Sequence, residues 1–253
     1  MRIVHVLPIV ALLAAGGAVL TLSSCGPDNA NNTVAVTSPT PVPTTAPPAG
    51  KQWVDVVAKT ADGGFLMGNP AAPIKLVEYG SRSCPHCKHF SEESGPLRDK
   101  YVASGRVSYE FRDFLIHPQD GAAALLGQCV PAEAYFTILD GMFAAQDASY
   151  KRLEAIPQNY QQILAGMTPQ QAAAWWADQA GYREFMMQHG VPGPKADACL
   201  KDTAVLTSLT QLNEKATGEL GVNGTPTFFI NGNKAEASDW ATLEPLLRNA
   251  GAR

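Results

Sequence analysis

The chain has no second Cys-X-X-Cys to match the one formed by Cys84 and Cys87. A structural zinc site needs four ligands, and His86 and His89 are too close in sequence to complete a tetrahedron easily with those two cysteines. Half of a zinc site is therefore the weaker reading of the pair. Basic charge is also scarce: 19 Lys and Arg stand against 23 Asp and Glu, for a formal net charge of −4. Without a basic patch no nucleic-acid partner is expected, and the acidic balance mainly favours solubility. The one long apolar run, residues 3–20, contains Pro8 and is not followed by basic residues, which argues against an uncleaved membrane anchor. Residues 27–50 are nearly uncharged and rich in Pro, Thr, Asn and Ala. Such a stretch buries too little surface to fold, and its prolines make it a semi-rigid extended spacer.

What is present centres on Ser81-Arg82-Ser83-Cys84-Pro85-His86-Cys87-Lys88-His89. The preceding run, Ile74-Lys75-Leu76-Val77-Glu78-Tyr79, alternates as a half-buried strand does. The following residues, from Pro85 towards Tyr101, are expected to wind into a helix, with a break at Gly95-Pro96. Cys84 then stands at the first turn, and Pro85 occupies a position where its missing N–H costs nothing. The unpaired N–H groups and the helix dipole favour an anion there. A Cys-X-X-Cys at a helix start is the arrangement that lowers a thiol pKa.

Glu78-Tyr79-Gly80-Ser81-Arg82-Ser83-Cys84-Pro85-His86-Cys87, taken with Gly224-Thr225-Pro226-Thr227-Phe228-Phe229-Ile230-Asn231-Gly232, resembles the DsbA-type thiol:disulfide oxidoreductases of the thioredoxin superfamily. The likeness runs from about Trp53 to the C-terminus. It implies an α/β thioredoxin fold with an inserted α-helical subdomain at about residues 119–200. It also implies that Thr225-Pro226 carries a cis-proline loop facing the cysteines, where loop backbone and Pro85 meet an extended substrate strand. Glu78 becomes the buried acid that handles protons for Cys87; its alternative is a surface glutamate on the strand. No cofactor is expected beyond the redox-active Cys84–Cys87 pair, and no metal.

Residues 1–24 have the form of a targeting segment. Leu22-Ser23-Ser24-Cys25-Gly26 resembles the lipobox of bacterial lipoproteins, in which the cysteine is lipidated; ordinary secretory cleavage with Cys25 left as a spare thiol is the alternative. Residues 25–50 form the linker and 51–253 the domain. Within it, Trp53-Val54-Asp55-Val56-Val57-Ala58 reads as a first strand and residues 63–70 as loop. Residues 107–114 form a strand parallel to the one before Cys84. From about 119 to 199 β-branched runs vanish, and short helices are expected at 122–130, 133–145, 160–165, 169–180 and 183–189. Thr168-Pro169 is a helix start. A long helix over 202–220, a strand over 227–230, a hairpin turn at Asn231-Gly232 and a terminal helix from Ser238 complete the domain. His117-Pro118 reads as a strand-exit turn, and Trp175-Trp176 and Met186-Met187 as packing residues.

With Cys25 assigned to lipid, four cysteines remain in an exported chain, and pairing Cys84 with Cys87 leaves Cys129 and Cys199. The resemblance implies a second bridge at that place; two buried free thiols are the alternative. Cys84 is expected to be the exposed attacking sulfur and Cys87 the buried resolving one. The His86 ring between them either stabilises the Cys84 thiolate or is simply solvated. The expectation is a lipid-anchored disulfide oxidase on the periplasmic side of a bacterial envelope, or a soluble periplasmic one. Its partners would be reduced, unfolded exported proteins and a DsbB-like, quinone-linked membrane oxidase. An isomerase or reductase kept reduced, and a non-catalytic copper-binding protein using Cys84, His86 and Cys87, are the other readings.

Overall fold

The computed structural model describes residues 36–253. The expectations for the targeting segment and for Cys25 fall outside them. Six strands form one sheet in the order β1-β2-β4-β3-β5-β6. β3 (Ile74–Gly80) and β4 (Val107–Asp113) are the parallel centre, joined through α1 (Pro85–Glu93) and a π-helical turn at Leu97–Val102. The expected single helix thus breaks at Gly95-Pro96, where proline cannot continue the hydrogen-bond ladder. The other pairings are antiparallel: β1 (Val57–Lys59) on β2 (Phe65–Met67), β2 on β4, and β5 (Thr227–Ile230) between β3 and β6 (Asn233–Ala235). Asn231 and Gly232 turn the last hairpin with φ of 51° and 82°, the left-handed values that such two-residue turns require.

Two readings of the N-terminal part change. Trp53–Asp55 is a 3-10 turn rather than part of a strand, and its indole N–H donates to the Thr45 carbonyl at 2.6 Å. Phe65–Met67, expected as loop, is a strand, because Phe65 and Met67 point into the core from between flanking glycines. The linker also differs from a free spacer. From Val36 onward it lies along the domain, with Val36 and Val42 packed on the main core. Ser38 and Val42 donate backbone N–H groups to Asn249 and Gly251, and Thr45 donates to Ser104. Arg106 holds the Val42 carbonyl, and Arg253 holds those of Ser38 and Pro39. Few apolar side chains are needed, because much of this attachment uses backbone groups. It sits at the start of β3 and β4, beside Ser104 and Arg106, six residues along β3 from the end that carries the cysteines. At about 3.3 Å per residue the two ends are roughly 20 Å apart.

Between β4 and β5 come α2 (Asp120–Gly127), α3 (Tyr135–Ala144), α4 (Gln146–Leu153), α5 (Tyr160–Ala165), α6 (Pro169–Gln179), α7 (Tyr182–Gln188), α8 (Gly193–Leu200) and α9 (Thr203–Gly218). α4 and α8 had no expectation. Thr168 starts α6 with a full capping box through Gln171. The final helix, α10 (Trp240–Asn249), is capped by Asp239 rather than Ser238: the Asp239 carboxylate accepts the Thr242 N–H at 2.8 Å. The insertion has its own core, including Leu125, Leu126, Trp176 and Met186, apart from the core between the sheet, α1 and α10. Met187, expected to pack, is 48% exposed.

Cys129, just after α2, is bonded to Cys199 on α8, with Cα atoms 5.9 Å apart and a sequence separation of 70. A closure of that length stabilises by about 4 kcal/mol in the chain-entropy account. The double variant Cys129→Ala/Cys199→Ala is accordingly expected to lose about that much in denaturant unfolding while thiol exchange stays near wild type. Loss of exchange alongside an intact fold would show that the bridge shapes the reactive site rather than only bracing the insertion.

Candidate active site

The site is built where β3 ends. Gly80 closes the strand, and the turn through Ser81 and Ser83 delivers Cys84 to the N-cap of α1, with Pro85 as the first helical residue. Cys87, one turn on, faces inward. Both are free thiols and both are buried, Cys84 at 3% and Cys87 at 0% exposure. The expectation of an exposed Cys84 is corrected: the Thr225 carbonyl covers its sulfur and accepts its S–H at 3.3 Å. Only Pro85 and His86 beside it reach the surface. Thr225-Pro226 is cis, and the contact between the Thr225 carbonyl and the Cys84 sulfur places this loop against the reactive cysteine.

The two thiols have opposite character. Cys84 is pulled down to about 4, first by a hydrogen bond from Cys87, against its own burial, and further by Thr225 and the backbone N–H groups of Cys87 and His86. The Thr225 hydroxyl has no partner while Cys84 is a thiol, so ionisation gives that buried group one. The contribution of His86 comes through its backbone. Cys87 is pushed well up, mainly by burial, then by its bond to Cys84 and by the charge of Glu78. These opposite shifts suit Cys84 to attack and to leave, and Cys87 to hold a proton.

Glu78 lies beneath them at 1% exposure. One carboxylate oxygen accepts the Tyr109 hydroxyl at 2.6 Å, and the other has no partner. Burial raises this carboxyl to about 8, opposed by the Tyr109 bond and by Arg98. It is therefore mostly protonated at neutral pH, and it raises Cys87 by its charge only once it ionises. The surface-residue alternative does not apply.

The turn carrying Cys84 is gripped by groups that pattern reading passed over. Arg82, 3% exposed, donates to Asp113 at the end of β4 at 2.6 Å, and its guanidinium lies 5.0 Å from the Tyr135 ring. Tyr135 and Gln128 also donate to Asp113, at 3.2 and 3.0 Å. Gln146 on α4 donates to the carbonyls of Arg82 and Cys84, and Tyr150 donates to that of Ser83. From α2, buried Asp120 accepts the hydroxyls of Ser81 and Ser83 and the N–H groups of Ile116 and His117. The bonds to the Cys84 turn itself join residues at least 31 apart in sequence, so no local signal marks them; a polar run such as Ser81-Arg82-Ser83 between a strand and a helix is the one hint. Among the described residues no group of three or more His, Cys, Asp or Glu is placed to hold a metal ion.

A thiolate at a helix N-terminus, a buried resolving thiol and an opposed cis-proline loop on this sheet define a thiol:disulfide exchange centre on a thioredoxin framework. The thioredoxin family model matches residues 60–249, and the chain belongs to that family. A protein-disulfide isomerase from Novosphingobium aromaticivorans is 33% identical, with TM-score 0.71 over 75% of this chain and 97% of that one. Wolbachia pipientis alpha-DsbA1 shares the fold at 23% identity, with TM-score 0.56 over 74% of this chain and 90% of that one. The framework is thus DsbA-like, a thioredoxin core with a helical insertion. A Rickettsia conorii protein named as a protein-disulfide oxidoreductase is 29% identical over 183 residues, 71% of this chain but only 57% of that relative's length.

Proposed function

We propose that the protein is a thiol:disulfide oxidoreductase acting as an oxidase, donating the Cys84–Cys87 disulfide to reduced exported proteins. The observation that carries the direction is the ionised Cys84. A thiol held near 4 instead of its ordinary 9 stabilises the reduced form by about 4 kcal/mol at pH 7. That makes the disulfide more oxidising by about 90 mV. A substrate thiolate attacks the Cys84 sulfur and Cys87 leaves, taking up a proton for which protonated Glu78 is the adjacent source. A second substrate thiolate then attacks its own sulfur in the mixed disulfide and expels Cys84, a good leaving group. The substrate gains a disulfide, and the enzyme is left as the dithiol. Ile116, 40% exposed on the loop before α2, offers an apolar contact to an unfolded chain.

Isomerase action is the second reading, favoured by the likeness to the Novosphingobium protein-disulfide isomerase. Both readings share the chemistry and differ in the resting redox state. A bacterial envelope site, lipid attachment at Cys25 and reoxidation by a quinone-linked membrane oxidase belong to the oxidase proposal. The attachment of residues 36–50 at the end of the sheet away from Cys84 suits it, since an anchor upstream would leave the cysteines facing away from the membrane. One experiment addresses all of this: acid-trap cells, fractionate them, and determine the Cys84–Cys87 redox state. A mostly oxidised pair in the membrane fraction is expected, with release on Cys25→Ser. A mostly reduced pair would replace oxidase by isomerase or reductase, and wild type in the soluble fraction would remove the anchor.

A further inference from the structure

His117 reads in sequence as an exit from a strand, yet its ring stands at the residue before Cys84. Its Nδ1 is 2.9 Å from the Ser83 hydroxyl oxygen and 3.6 Å from the Asp120 carboxylate. Ser83 has one hydroxyl proton and donates it to Asp120 at 2.5 Å. Its oxygen can then only accept from the ring, which fixes a proton on Nδ1 of His117. Asp120 is 2% exposed and takes four donors, two hydroxyls and two backbone N–H groups, an arrangement that suits a carboxylate. The His117 side chain as a whole is 36% exposed.

We propose that His117, seated by Ser83 and Asp120, is a positioning residue of the exchange centre whose imidazolium adds to the field that keeps Cys84 ionised. This deepens the oxidoreductase reading and rests on it. The charged groups that act on the ring are Asp120 from α2, 3.6 Å away, and Cys84, the residue after the Ser83 that the ring contacts; the Tyr150 hydroxyl of α4 lies on the Ser83 carbonyl, and Arg82 is bound to Asp113. Asp120 raises the His117 pKa most, and the Cys84 thiolate adds to that rise. The interaction is reciprocal, because a charge that holds the proton on His117 must hold it off Cys84 by the same free energy. When Cys84 is tied in a disulfide its charge is gone and the proton on His117 is held less tightly. Reduction is therefore coupled to partial proton uptake at this histidine.

The test is an NMR titration of the His117 ring in wild type, oxidised and reduced, together with the 240 nm thiolate titration of His117→Gln and Asp120→Asn. The His117 pKa is expected to be higher in the reduced protein than in the oxidised one. His117→Gln is expected to raise the Cys84 midpoint by a similar amount, with Asp120→Asn lowering the His117 pKa. Equal His117 pKa values in both redox states, or an unmoved Cys84 midpoint in His117→Gln, would overturn the proposal while a wild-type Cys84 midpoint near 4 keeps the oxidoreductase reading. A wild-type midpoint near 9 would remove that reading and the proposal together. Because the first measurement is made on wild type, it does not depend on whether a variant folds.

Discussion

The reduced protein is expected to lose one thiol to iodoacetamide at a rate that scarcely changes between pH 5 and pH 8. With Cys84 near 4, its thiolate fraction is already about nine-tenths at the lower pH. An ordinary thiol near 9 would accelerate about a thousandfold across those three units. The absolute rate is a less decisive reading. At pH 6 the thiolate fraction favours Cys84 over an ordinary thiol by about a thousandfold, but a weaker base is a poorer nucleophile, and a Brønsted slope of about 0.45 returns most of that, leaving several-fold. Burial at 3% slows the reagent further but does not alter the slope with pH. Cys87 should stay unmodified over the whole range, being inaccessible at 0% exposure and protonated. A tenfold rise per pH unit at Cys84, or equal rates at the two cysteines at pH 6, would sink the assignment of roles. The same thiolate also fixes a thermodynamic result. Between about 4 and 9 the unfolded reduced chain binds a proton that the folded one does not, so Cys84 adds stability as pH rises and loses it as pH falls through 4.

The part of this site that was legible in the sequence is the part whose physics is local. Cys84, Pro85 and Cys87 sit in one turn, and the N–H groups that receive the thiolate belong to that same turn, so their spacing carries their chemistry. β3 and β4 were legible for the same reason: alternation is written in neighbouring residues. β2 was missed because it has only three residues and lies among glycines, which read as loop until a partner strand is known. Trp53 was misassigned because what orders it is a bond to Thr45, in a stretch whose composition suggested no structure. The support behind Cys84 comes from Asp113, Asp120, Gln146 and Tyr150, between 29 and 66 residues away from it. A polar residue on a helix face is by default solvated, and only the packed insertion turns Asp120, Gln146 and Tyr150 inward, while Asp113 is buried at the end of β4. Glu78 falls between the two cases. Its place before the motif was visible, but its protonation state depends on how completely Tyr109 and the core around it exclude water.

That protonation state sets the remaining expected result, for Glu78→Gln. Burial raises the Glu78 carboxyl from 4.5 to about 8, so the folded state holds a proton that the unfolded state releases. Its contribution is most favourable below 4.5 and is lost as pH rises through 8, a cost of about 3 kcal/mol by pH 7. The slope is opposite to that of Cys84, and in the reduced protein the two largely cancel between 4.5 and 8. Oxidation removes the Cys84 contribution and leaves Glu78 alone, since the largest cause of its shift is burial rather than the thiolate. Oxidised wild type should therefore become less stable to denaturant as pH rises from 4.5 to 8, while reduced wild type stays nearly level. Glutamine keeps an acceptor for the Tyr109 hydroxyl and cannot ionise. The variant should match wild type near pH 4.5 and exceed it by up to about 3 kcal/mol at pH 7 in the oxidised form, less whatever its unpaired amide costs. The gain in stability should come with a loss in rate. Without a group to pass a proton to and from Cys87, exchange should slow by about a hundredfold, the lower range for a positioned acid or base. A variant no more stable than wild type at pH 7 would place the carboxyl near its ordinary range. Greater stability with unchanged exchange would show that Cys87 draws its proton from elsewhere.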